Sequence, residues 1–119
     1  MINEKYLRGK VVRAIDHLLT ECKRTADEHG FTDATPGEDI ALMHSELSEA
    51  LEDIRAGKEL SALTFNEKGK PEGVPSELAD VCIRVFHFAR KHNVDLAEAV
   101  VQKMIYNESR PYRHGGKVL

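Results

Sequence analysis

The 119-residue sequence contains no apolar run long enough for a membrane-spanning helix, which needs about 18 or more such residues. The opening MINEKYLRGK has no apolar core, so no secretory signal is expected. Cysteine is scarce: Cys22 and Cys82 stand apart, with no CxxC and no Cys/His grouping, which excludes a zinc site of that type. The expected compartment is the cytoplasm, where these two thiols are predicted to be reduced core residues rather than a disulfide. There is no excess of positive charge. A net charge of −3 leaves no broad basic field for a nucleic-acid polymer. No Glu-x-x-His occurs, which removes the di-iron carboxylate bundles. HExxH, an EF-hand loop and GxxxxGK[ST] are also missing, so HGGK at 114–117 is no phosphate loop. What remains, 41% hydrophobic, 31% charged and only four prolines, reads as one folded globular domain over residues 1–119.

Apolar residues recur at helical spacing and no convincing strand can be read. A first helix is predicted from about Asn3 to His29, on the stripe Val12, Ile15, Leu19, Cys22 and Ala26, with Asn3 as N-cap and Gly30 just past its end. TPGE opens a second helix: Thr35 caps, Pro36 takes the first turn and Glu38 completes a capping box. Its stripe is Ile40, Met43, Leu47, Ala50, Leu51 and Ile54, and Gly57 ends it. Residues 57–74 read as a loop with at most one helical turn. Pro75 starts a third helix to about His92 through Leu78, Val81, Cys82, Val85, Phe86 and Ala89. Asp95 and Glu98 cap a fourth that must stop before Pro111. Residues 111–119 form a basic, glycine-containing tail. The predicted fold class is all-α, a four-helix bundle.

The one internal repeat is SELSE at 45–49 and SELAD at 76–80, placed on the second and third helices. Acids three apart share a helix face. At about 100° per residue, Glu46, Glu49 and Asp53 fall within about 60°, beside the apolar stripe, with Glu38 nearby. Glu77, Asp80, Arg84 and His87 fall within about 80°, again flanking the apolar face. If the helices pack antiparallel through those faces, the acidic borders converge. Carboxylates within about 4–6 Å raise one another's pKa, a cost that a divalent cation removes. Hard oxygen donors without cysteine or histidine favour Mg²⁺, with Mn²⁺ also accommodated. A single such pair is ordinary solvated charge; two on consecutive helices, both bordering the core, point to a metal site.

Carboxylate-held Mg²⁺ commonly carries phosphate. Lys103, Asn107 and Arg110 lie within about 60° on the fourth helix, with Arg113, His114 and Lys117 following in the tail. Lysine offers a point charge, arginine a two-pronged fork and asparagine an amide, a set suited to phosphate and sugar. Cations near a helix C-terminus also complement its dipole. Phe86, Phe88, Ile105 and Tyr106 give the last two helices more apolar breadth than one internal seam needs, which suggests an interface.

SELSE followed by ELAD resembles the ExxE…ExxD signature of the MazG-like all-α nucleoside triphosphate pyrophosphohydrolases. KMIYNESRPYRHGGK at 103–117 is similar to the C-terminal stretch of their small single-domain phage and bacterial members, and the likeness spans residues 37–117. The resemblance implies a four-helix core that dimerises, sometimes pairing into tetramers, and Mg²⁺-dependent hydrolysis of (d)NTP to (d)NMP and pyrophosphate. It implies Glu46, Glu49, Glu77 and Asp80 as catalytic metal ligands, and Lys103 and Asn107 as nucleotide contacts, with Arg110 a weaker transfer. No nucleic-acid polymer or membrane is expected as partner. The chain departs from the pattern at Ser45, where many members carry a glutamate assigned to activating water. Serine is a poor base, so a rival reading is a nucleotide-binding bundle with weak or no turnover. A third is an interaction bundle whose acids are plain surface.

Overall fold

The computed structural model describes residues 1–111. Four helices, Glu4–Glu28 (α1), Pro36–Arg55 (α2), Val74–Lys91 (α3) and Leu96–Glu108 (α4), carry the fold. A small antiparallel hairpin, Thr64–Phe65 (β1) and Pro71–Glu72 (β2), interrupts them between α2 and α3. The all-α expectation holds. The reading of residues 57–74 as strandless, with at most a helical turn, is corrected: Thr64 pairs with Glu72 and Phe65 with Pro71. The turn chemistry explains the hairpin. Asn66 Oδ1 accepts from the amides of both Lys68 and Lys70, and Gly69 adopts a φ of +79°.

The helix starts follow their caps. Asn3 Oδ1 accepts from the Tyr6 amide at 3.1 Å, Thr35 Oγ1 from Glu38 at 3.2 Å, and Asp95 Oδ1 from Glu98 at 3.2 Å. Each satisfies one of the amide donors that a helix N-terminus leaves unpaired. Helix α3 has no side-chain cap; it begins at Gly73, whose φ is +106°. A β-carbon there would lie 2.4 Å from the Ala62 carbonyl oxygen, so only glycine fits where the loop crosses the start of α3.

The helices pack in series among the described residues: α2 on α3, α3 on α1, and α1 on α4. The buried apolar positions are Leu19, Ala50, Val74, Ala89, Ala97 and Val101. Four of these are alanine or valine on α3 and α4, small enough to let the helix axes approach closely. Because α2 has a single helical neighbour, Leu47, Leu51 and Ile54 of its predicted core stripe remain 47%, 54% and 45% exposed. Leu78 on α3 is exposed as well. Cys82 follows it on the same face and is exposed, which corrects the expectation of a core thiol; Cys22 is half-buried, and both are free. Phe86, Phe88 and Ile105 are half-buried while Tyr106 is exposed, and α2 also leaves Ile40, Leu42, Leu47, Leu51 and Ile54 exposed. No described helix is long and apolar enough to cross a membrane. Beyond Pro111, the predicted basic tail lies outside the described residues.

Candidate metal centre

Helices α2 and α3 run antiparallel, as three pairings along their seam record. Near one end, Lys91 Nζ donates to Asp39 Oδ2 at 3.0 Å; midway, Arg84 Nε donates to Glu46 Oε1 at 2.9 Å; further on, Glu49 meets Glu77. As one residue number rises the other falls. This geometry carries SELSE over SELAD.

One oxygen each from Glu46, Glu77 and Asp80 lies within 4.8 Å of the others. Glu46 and Glu77 are half-buried and Asp80 is exposed, so the cluster opens from the helix seam toward solvent. Glu77 bears most of the strain. Its Oε2 is buried and has no hydrogen-bond partner among the described residues. Burial first, then the proximity of Glu49 and the charges of Asp80 and Glu46, push its carboxyl up to about 7. Asp80 is also raised, by burial and by repulsion from Glu46 and Glu49, with Arg84 and Lys70 opposing. Three converging carboxylates, one with a buried oxygen lacking a protein donor, are a donor set that suits a hard divalent cation.

The sequence-predicted acids divide accordingly. Glu46, Glu77 and Asp80 form the cluster; Glu49 adjoins it through Glu77 without joining the close triad. Asp53 lies one step along, salt-bridged to Lys58 Nζ at 2.9 Å. Ser45 donates its hydroxyl to the Ala41 carbonyl at 3.2 Å, which binds it to its own helix. Lys103 and Asn107 are exposed on α4, which packs on α1 and not along α2 or α3; Arg110 is exposed two residues past the end of α4, which corrects its expected place on that helix. Lys103 Nζ sits 5.6 Å from the Tyr106 ring centre. Within one chain the acidic cluster and the cationic stripe therefore occupy different faces of the fold.

Cations that do meet the cluster were not singled out as ligand contacts from the sequence. Arg84 was placed on the acidic arc, and the structure makes it the partner of Glu46. Lys58 and Lys70, whose charges reach Glu77 and Asp80, come from the segment read as loop. Lys58 lies just past the α2 terminus and was findable from Asp53; Lys70 depends on the hairpin fold and left no signal.

Beside the cluster a cleft of about 940 Å³ opens between the end of α1, residues 30–34, α2 and α3. Glu46, Asp80 and Arg84 line one end of it, so cleft and cluster are continuous. Its far wall is braced by Lys91, which also donates to the Ala34 carbonyl at 2.7 Å, and by His92 Nε2 at 3.4 Å from Asp39. Burial raises Asp39, yet hydrogen bonds from Lys91 and His92 outweigh it and hold the carboxyl below its ordinary value. Comparison of the chain with models of known families, with curated proteins and with solved structures finds no match in any of the three.

Proposed function

We propose that this chain is a Mg²⁺-dependent nucleoside triphosphate pyrophosphohydrolase of the MazG-like all-α kind, hydrolysing (d)NTP to (d)NMP and pyrophosphate. The observation that carries the reading is the meeting of Glu46, Glu77 and Asp80 within 4.8 Å, where the two halves of the ExxE…ExxD repeat cross. The ligands would be these three with Glu49 beside them, and Mn²⁺ would substitute for Mg²⁺ on the same oxygen donors. Bound there, such ions supply Lewis-acid charge to phosphate oxygens and to the attacking water.

The chain's own groups define the rest. Water attacks the α-phosphorus, a P–O bond forms as the α–β anhydride bond breaks, and pyrophosphate leaves with the bonding pair. Ser45, committed to the Ala41 carbonyl, takes no proton. Glu49, next to Glu77 but outside the close triad, would accept it in this reading. Arg84, Lys58 and Lys70 offset charge around the phosphate chain, in keeping with the dominance of electrostatics in phosphoryl transfer.

Lys103, Asn107 and Arg110 would serve this site from a second copy. Support comes from the open series of helices: α2 lacks a second helical neighbour, its apolar residues are uncovered, and α4 lies away from its own chain's acids. A homodimer, or a tetramer of two such pairs, would cover the first and deliver the second.

The test is a panel of NTPs and dNTPs with and without Mg²⁺, assayed for pyrophosphate and monophosphate, on wild type, Glu49→Gln and Asp80→Asn. Metal-dependent release by wild type and its loss in both folded variants is the expected result. Full activity in either variant, or none in wild type, overturns it. Nucleotide binding without turnover would establish the rival binding protein, for which the lack of a glutamate at Ser45 speaks.

A further inference from the structure

The cleft beside the acidic cluster contains a group that the proposed chemistry does not use. His87 lies on α3 two turns beyond Asp80, half-buried, and its Nε2 is enclosed without a hydrogen-bond partner among the described residues. The ring borders the cleft, and a polar atom left desolvated and unpaired is costly, so a ligand that turns the ring toward the cleft gives Nε2 the bond it lacks.

The surroundings suit a flat heteroaromatic ring. Leu42 and Ile83 supply apolar wall from α2 and α3, and Phe31, 71% exposed, lines the cleft from the α1–α2 connection. His87 is seven positions on from Asp80, about 10 Å along a helix axis, the reach of a nucleoside from its phosphate to the far edge of its base. Arg84, one turn before His87, stands between the two ends.

We infer that this cleft holds the base of the nucleotide whose phosphates face Glu46, Glu77 and Asp80, and that His87 Nε2, bonding to the base edge, is the residue that sets base preference. Burial, together with the positive charge of Lys91, keeps the imidazole pKa below its ordinary value, against the opposing pull of Asp39 and Asp27. The neutral ring presents one donor and one acceptor, which discriminates between base edges as a charged ring, donor at both nitrogens, does not. An unmatched base leaves that atom buried and unpaired, the situation in which polar sites reject analogues most strongly.

The inference rests on the nucleotide reading for the identity of its ligand, and it is tested by binding rather than turnover. The side-chain ¹⁵N resonances of His87 are followed while wild type with Mg²⁺ is titrated with four deoxynucleoside monophosphates and, separately, with pyrophosphate. One base is expected to shift the Nε2 resonance well beyond the others, and pyrophosphate is expected to leave it in place. His87→Phe should weaken the preferred monophosphate roughly tenfold, the loss of one hydrogen bond. It should also level the preference while leaving Mn²⁺ affinity unchanged; His87→Gln should retain part of the preference. An equal shift with pyrophosphate, no shift with any base, or uniform weakening of all four monophosphates by His87→Phe overturns the assignment. A base-selective shift without hydrolysis would sink the hydrolase reading and leave this one standing; hydrolysis without a selective shift would do the reverse.

Discussion

Arg84 Nε donates to Glu46 Oε1 at 2.9 Å, so a guanidinium on the acidic seam already engages one carboxylate of the cluster. Arginine and a divalent cation compete for the same carboxylate. Arg84→Ala is therefore expected to tighten Mn²⁺ binding in the absence of nucleotide by roughly fivefold, on the order of 1 kcal/mol for a partly exposed pair. On the proposed nucleotide reading, the same change should weaken nucleotide binding, since a positive charge beside the acidic cluster goes. Calorimetric titration separates the two; unchanged Mn²⁺ affinity would show that the pair is only structural.

Glu77 links the site to stability. The folded protein holds this proton up to about pH 7, whereas the ordinary value is 4.5, so between those values the folded state binds more protons than the unfolded chain. Stability accordingly falls as pH rises through that window. In EDTA, Glu77→Gln is expected to melt about 5 °C above wild type at pH 8 and to converge with it near pH 5. With Mg²⁺ the order should invert, because wild type gains a ligand that the variant has lost. A variant less stable than wild type at pH 8 in EDTA would contradict the crowding of these acids.

Gly73 positions the helix that carries Glu77, whose amide donates to the Gly73 carbonyl at 3.1 Å. Alanine there would meet the Ala62 carbonyl oxygen at 2.4 Å and hold an unfavourable φ of +106°. Gly73→Ala is expected to cost about 2–4 kcal/mol in urea unfolding. Mn²⁺ affinity should fall with it, as the start of α3 shifts. A neutral result would mean that the loop yields freely.

Lys91 and Asp39 are only 15% and 12% exposed, a pair largely removed from water. Truncating one partner strands the other, so Lys91→Met is expected to cost about 3 kcal/mol, and Asp39→Asn in the same chain should recover part of it. Because Asp39 titrates below its ordinary 3.8, its contribution is present above that value and disappears as pH falls through the folded-state value. Equal destabilisation by the single and double variants would show that the two residues are not coupled.

The uncovered face of α2 predicts association. Sedimentation at micromolar concentration is expected to show a dimer or tetramer, and Leu51→Glu, at a side chain 54% exposed, to shift it toward monomer. A wild-type monomer would remove the second copy as the source of Lys103, Asn107 and Arg110.

Much of this molecule is local information. Asn3, Thr35 and Asp95 announce their helices because each bonds an amide three residues on, and Glu46/Glu49 and Glu77/Asp80 share faces because the helical repeat dictates it. Even the convergence of the acids could be framed in advance, as a consequence of antiparallel packing through their borders. The hairpin was missed because its strands are two residues each, too short for any period to register, and its turn depends on Asn66 bonding two amides at once.

The amino-acid sequence by itself determined the four helices, the side-chain caps of three of them and the sidedness of their charges, since all of these follow from interactions within a few residues. Only the tertiary structure decided that Glu46, not Glu49, joins Glu77 and Asp80, that Arg84 is their counter-ion, that His87 faces a cleft, and that the cationic stripe of α4 lies apart. Those outcomes depend on which helix packs against which and at what axial offset, quantities set by the summed packing of small core residues such as Ala50 and Ala89 and written in no single stretch of chain.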